Sequence, residues 1–139
     1  MLFGSFNNNK DIFDTEHKYD LVIFDRYIDT ISAHIVARNN LHGRYLSFSR
    51  FYSWFKKIYE KEIKLPDKTF VLDVKLSIAE ERTYKRENKR YSEDDRRGFI
   101  TIKKFYRFLA EREPKRFYLI DANRRIEQVT QEVLNILQK

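Results

Sequence analysis

The chain has 139 residues, the size of one ordinary domain, with 42% hydrophobic and 35% charged residues. It has no cysteine, which excludes disulfides, cysteine nucleophiles and thiolate zinc sites, and apolar runs such as Leu21–Phe24 are far too short to span a bilayer. The net charge of +7 points to a polyanionic partner, either nucleic acid or a phosphorylated small molecule, or to a solvated basic surface.

The opening Met-Leu-Phe-Gly-Ser-Phe-Asn-Asn-Asn lacks the basic stretch and long apolar run of a signal peptide, so a cytoplasmic protein with no membrane partner is expected. The first predicted element is Leu21–Phe24, a continuous apolar run of the kind found in strands covered on both faces. A polar, basic loop is expected over 38–50, then a helix over 51–63 with Phe51, Trp54, Phe55, Ile58, Tyr59 and Ile63 at helical spacing. A second strand follows at Phe70–Leu72. Ser77-Ile78-Ala79-Glu80 reads as a capping box opening a helix to about Lys85, because the Ser hydroxyl and Glu carboxylate can satisfy end N–H groups.

A second loop is expected over 85–98. Ser92 to Asp95 offers another capping pattern before a helix through Phe99, Ile102, Phe105, Tyr106 and Leu109, which ends ahead of Pro114. The third strand is Phe117–Ile120. The last helix runs from about Ile126 to Leu137, with Ile126, Val129, Val133 and Leu137 on one stripe. This alternation predicts an α/β fold with a parallel sheet in one domain, residues 1–139.

Each strand ends in an acid: Asp25, Asp73 or Asp121. In a doubly wound sheet, ligands bind beyond the carboxyl ends of the strands. Asp73 and Asp121 can also serve as turn or cap residues. Asp25 differs because Arg26 and Tyr27 follow at once: a strand-end carboxylate suits a metal beside transferring phosphates, and an adjacent guanidinium can grip a phosphate with two hydrogen bonds. The three histidines, at 17, 34 and 42, show no metal-ligand spacing.

These residues carry a family resemblance. Asp25-Arg26-Tyr27-Ile28-Asp29-Thr30 resembles the DRY-x-x-[ST] segment of thymidylate kinases, and Pro66 to Val74 resembles their P-D-x-T-x-x-L-D-V strand. Arg82 and Arg86 fall where the family begins its lid over ATP. Phe99, Ile102-Lys103, Tyr106 and Leu109-Ala110 match the following helix, Ile120-Asp121-Ala122 the closing strand, and Ile126-Glu127-Gln128-Val129 the segment after it. Leu2-Phe3 resembles the pair that sets an aromatic ring against thymine, a contact that dispersion and offset stacking can supply.

The resemblance implies a truncated P-loop kinase-like three-layer fold, with these three strands present and the first two family strands missing. In the complete enzyme it implies transfer of the γ-phosphoryl of ATP to dTMP, giving dTDP, with Mg²⁺ and with ATP as co-substrate; neither is expected to bind firmly to this chain alone. Asp25 would orient the metal and its waters, and Arg26 would hold the dTMP phosphate. Arg82, Arg86 and Arg90 would face ATP, Arg86 among the catalytic groups. Phe3, Asn7 and His34 would contact the substrate. A homodimer through helices near 28–37 and 51–63 is implied as well.

The sequence departs from the family at several places. Asn7 stands where the family usually has Arg, His34 where it has Tyr or Phe against the sugar, and Lys89-Arg90-Tyr91-Ser92 where it has D-R-[FIY]-E. No G-x-x-x-x-G-K-[ST] phosphate loop is present; the only glycines are Gly4, Gly43 and Gly98. The missing first strand would lie between those matching 21–24 and 70–74. Its loss predicts a chain that is unstable alone, repacked, or completed by another segment in cis or in trans. Two alternatives remain: a non-catalytic remnant, favoured by the departures, and a basic nucleic-acid-binding module, disfavoured because the aromatics sit at core spacing.

Overall fold

The computed structural model describes residues 19–59, 61 and 64–138. Phe3, Asn7 and His17 lie outside them. The elements in chain order are α1 (Ile28–Leu41), α2 (Phe48–Tyr59), β1 (Thr69–Asp73), α3 (Leu76–Glu87), α4 (Glu93–Arg112), β2 (Phe117–Asp121) and α5 (Ile126–Leu137). Among the described residues no helix is long and apolar enough to cross a membrane. The expected α/β class holds.

β1 and β2 form a parallel pair with Thr69 opposite Phe117 and Asp73 opposite Asp121. The first predicted strand, Leu21–Phe24, is not part of this sheet: among the described residues its backbone carries no strand pairing. A continuous apolar run encodes burial, and here Val22, Ile23 and Phe24 are half-buried, but such a run does not specify a strand partner.

Alternation along the strands divides the sheet into two faces. Val71 and Phe117 point into the main core, built from Ala33 and Val36 of α1, Phe51, Tyr52 and Phe55 of α2, and Phe105 and Leu109 of α4. Phe105 sits edge-on to Phe48 with ring centroids 5.3 Å apart, a geometry that favours aromatic quadrupoles. The other face carries Phe70, Leu72, Tyr118 and Ile120, with α5 beside it: Lys68, just ahead of β1, donates from Nζ to the Ile136 carbonyl at 2.6 Å. This cover is thin. No α5 residue is fully buried, and Leu72 is 57% exposed.

Both predicted loops are shorter than expected. α1 continues to Leu41, leaving residues 42–47 as the connection, and the acidic run Glu93-Asp94-Asp95 is the first turn of α4, where carboxylates favour the helix dipole. The two capping patterns fare differently. At Ser92 the box closes: the Asp95 amide donates to Ser92 Oγ at 3.1 Å, and the Ser92 amide donates to Asp95 Oδ2 at 2.9 Å. Ser77 caps nothing. Its helix already starts at Leu76 after Lys75, whose own amide donates to Asn123 Oδ1 at 2.9 Å. Ser92→Ala is therefore expected to cost about 1 kcal/mol, read as a lower urea midpoint, while Ser77→Ala leaves the midpoint nearly unchanged.

Candidate functional site: a cleft beside the first strand

β2 occupies one side of β1. Along the other side runs a cleft of about 890 Å³. Its walls come from Leu21–Phe24, Arg26 and Thr30 ahead of and within α1, from Phe99, Ile102 and Tyr106 on α4, and from Val133 and Leu137 on α5. The floor is β1 itself, residues 69–73.

Arg26 lines this cleft, and its backbone is unusual. Its φ is +65°, left-handed, at a residue with a Cβ. Such a conformation costs roughly 1–2 kcal/mol and persists only where the surroundings demand it, most often at binding sites. It lets the chain turn sharply from the extended segment into α1, whose N-cap is Tyr27. Asp25 is exposed and is not among the cleft-lining residues.

At the carboxyl end of β1, Asp73 receives Lys103 Nζ at 2.7 Å and Arg107 at 3.0 Å, both from α4. Lys103 also donates to the Val74 carbonyl at 2.8 Å. Burial raises the Asp73 pKa, but these hydrogen bonds and charges outweigh it and hold the carboxyl below its ordinary value. One anion facing two cations leaves a local positive surplus, suited to an anionic ligand. Tyr106, one turn away, approaches the Thr30 hydroxyl at 3.4 Å.

The amino ends of the strands hold a different cluster. Arg116 donates to both Asp29 oxygens at 2.8 and 3.2 Å, to Glu113 at 2.8 Å and to the Tyr52 hydroxyl at 3.0 Å. Thr69 adds a bond to Asp29 at 3.0 Å, Lys56 reaches Glu113 at 2.6 Å, and the guanidinium lies 4.1 Å from the Phe117 ring centroid. This network ties α1, α2 and α4 to both strands. It also sets the first turn of α1 against the amino ends of β1 and β2. Asp73 and Asp121 are paired in register at the carboxyl ends of the strands, and Asp25 lies outside this two-stranded sheet.

Burial raises Glu113, but hydrogen bonds from Lys56, Arg116 and Tyr52 bring it down to about 2; burial and the bond to Glu113 push Tyr52 up to about 12. A carboxyl depressed by folding contributes stability above its unfolded value of 4.5 and loses it as pH falls toward 2. A phenol raised by folding contributes stability below 10 and loses it as pH rises toward 12. Urea midpoints measured across pH are expected to fall in both windows, and Glu113→Gln to flatten the acid limb.

The remaining predicted residues do not meet at the cleft. His34 is exposed on α1 and does not line it. Arg82, Arg86 and Arg90 are exposed and also lie outside its lining. Arg86 is paired with the neighbouring Glu87 at 2.6 Å, and Arg90 lies 5.6 Å from the Tyr84 ring centroid. Sequence reasoning did not single out Lys103 and Arg107 as partners of Asp73. Their spacing, one helical turn apart on a helix whose opposite stripe is apolar, was the available signal. The Asp29–Arg116 pair, separated by 87 positions, had none.

Over residues 11–133 the chain matches the thymidylate kinase family. It belongs to that family. A probable thymidylate kinase of Halorubrum lacusprofundi is 34% identical over 119 residues, 85% of this chain and 57% of that protein. One from Methanosarcina barkeri is 30% identical over 117 residues, 82% and 53% respectively. One from Methanococcoides burtonii is 27% identical over 120 residues, 84% and 55%. The chain thus spans about half the length of the curated relatives it matches.

Proposed function

We propose that this chain is part of a thymidylate kinase, carrying substrate-binding and ATP-lid residues, which in the complete enzyme transfers the γ-phosphoryl of ATP to dTMP and is inactive in this portion alone. The family match across residues 11–133, running through the Asp25-Arg26-Tyr27 segment, carries this reading. Arg26 supplies the dTMP phosphate grip from a position lining the cleft. Phosphoryl transfer depends on positioning and on balancing charge, so a guanidinium held in one backbone geometry is the right kind of group. Asp25 is a single exposed carboxylate, and no group of three or more His, Cys, Asp or Glu gathers among the described residues. That fits Mg²⁺, which keeps several waters and takes one or two carboxylates plus substrate phosphates. When bound, the ion neutralises phosphate charge.

Arg82, Arg86 and Arg90 reach the ATP side once that nucleotide is present, Arg86 exchanging its exposed pairing with Glu87 for phosphate. Phe3, Asn7 and His34 complete the nucleoside contacts. Ile31 and Trp54, 53% and 56% exposed on α1 and α2, supply apolar surface for a homodimer. The protein acts in the cytoplasm.

The test is a coupled assay of ADP release. The 139-residue chain is joined to the stretch of the Methanosarcina barkeri relative that precedes its matched part, and dTMP is compared with other nucleoside monophosphates. dTMP-dependent turnover that disappears with Arg26→Ala supports the reading. Background turnover from a folded, ATP-binding chimera supports the non-catalytic remnant instead, in keeping with lid arginines already engaged by Glu87 and Tyr84.

A further inference from the structure

A second concavity, of about 310 Å³, shares no residue with the cleft beside β1. It opens between α2 and the carboxyl end of α4 and is lined by Tyr52, Ser53, Lys56, Lys57, Arg112 and Glu113. That volume is at the small end of ligand sites, enough for an oxyanion with a short substituent. Three cations and one carboxylate share it, a surplus of two positive charges.

The carboxylate is already satisfied. Glu113 Oε1 accepts from Lys56 at 2.6 Å and Oε2 from Arg116 at 2.8 Å. Lys57 and Arg112 differ: both are exposed, and neither has an acidic partner among the described residues. Exposed cations elsewhere on the helices do have one, as Lys85 has Glu81, Arg86 has Glu87 and Arg96 has Glu80. Ser53 and Lys57 stand one turn apart on α2, so their side chains project from the same side of it. Arg112 lines the same space from the last turn of α4. A guanidinium presents two parallel N–H groups to two phosphate oxygens, an ammonium adds a point charge, and a hydroxyl donates to a third oxygen.

We infer that the depression between α2 and α4 binds the phosphate group of a small phosphorylated anion, held by Lys57, Arg112 and Ser53. The inference goes beyond the proposed kinase function and does not rest on it, because none of the three residues lines the cleft that holds Arg26. The floor of the depression, Tyr52 and Glu113, belongs to the Arg116 network that docks α1. An anion bound above it therefore stabilises the folded chain by mass action.

The experiment records proton–nitrogen correlation spectra of the full 139-residue chain in sodium phosphate, in sodium chloride at equal ionic strength, and in dTMP. Saturable shifts at Ser53, Lys57 and Arg112 with phosphate and not with chloride are expected, together with a higher melting temperature. Lys57→Gln with Arg112→Gln is expected to weaken phosphate binding by about tenfold or more while leaving the melting temperature in chloride unchanged, since neither side chain gives up an ion pair. Lys89→Gln with Lys104→Gln removes the same charge from exposed positions outside the depression and is expected to leave binding nearly intact. Equal weakening by the two double variants overturns the inference, as does the absence of a saturable shift at the three residues. Should the first double variant not fold, Ser53→Ala decides: weaker phosphate binding supports the site and unchanged binding overturns it. Saturation by dTMP at lower concentration than by phosphate assigns the site to an organic phosphate, and saturation no sooner assigns it to the free anion. Shifts at Arg26 are scored separately, so the proposed substrate site and this one can each fail alone.

Discussion

Arg116→Met is expected to lower the unfolding free energy by about 3–5 kcal/mol, the usual cost of leaving one member of a buried ion pair behind. The pair is well shielded: the side chains of Arg116 and Asp29 are 12% and 5% exposed. The guanidinium answers two carboxylates and a phenol at once, so its removal strands Asp29 on the first turn of α1 and loosens Glu113 at the end of α4. For a chain of this size the loss corresponds to a melting temperature lower by roughly 10 °C or more. The double variant Asp29→Leu with Arg116→Met is expected to recover most of it, since an apolar pair needs no desolvated charge. Circular-dichroism melts of the two single variants and the double variant measure the coupling. A single variant that melts within a degree of the wild type sinks the argument.

At Arg26 the expected outcome has two signs. Arg26→Gly and Arg26→Ala both delete the guanidinium, so in the completed enzyme each is expected to weaken dTMP binding by about 1.5–3 kcal/mol, or about 10- to 150-fold. Their stabilities are expected to diverge. Glycine accepts a φ of +65° freely while alanine keeps the strained Cβ, so Arg26→Gly is expected to exceed Arg26→Ala by about 1 kcal/mol. Urea titration gives the stability difference and dTMP titration the affinity. If the glycine variant is the less stable of the two, the left-handed turn is not a source of strain.

Much of the fold was legible in local pattern. The apolar runs at 70–72 and 117–120 became β1 and β2, and the stripe over 126–137 became α5 at the expected bounds. The Ser92 box worked because its acid stands three residues on at the true start of the helix; the Ser77 pattern failed because a distant side chain, Asn123, had already satisfied the amide ahead of it. Leu21–Phe24 shows the limit of such patterns. Its composition encodes burial but names no neighbour, and strandhood is a property of two segments. The Asp25-Arg26-Tyr27 segment was recognisable as a motif, yet its position relative to Asp73 depends on how α1 docks. That docking is set by Asp29 and Arg116, each ordinary in its own stretch of sequence.

The charged lock at one end of the sheet and the Asp73–Lys103–Arg107 cluster at the other are separated by the length of β1. The two clusters thus tie the helices to the sheet at opposite ends of β1. A library that randomises Lys103, Arg107 and Phe99 leaves the Asp29 lock intact, so most of its members are expected to stay folded.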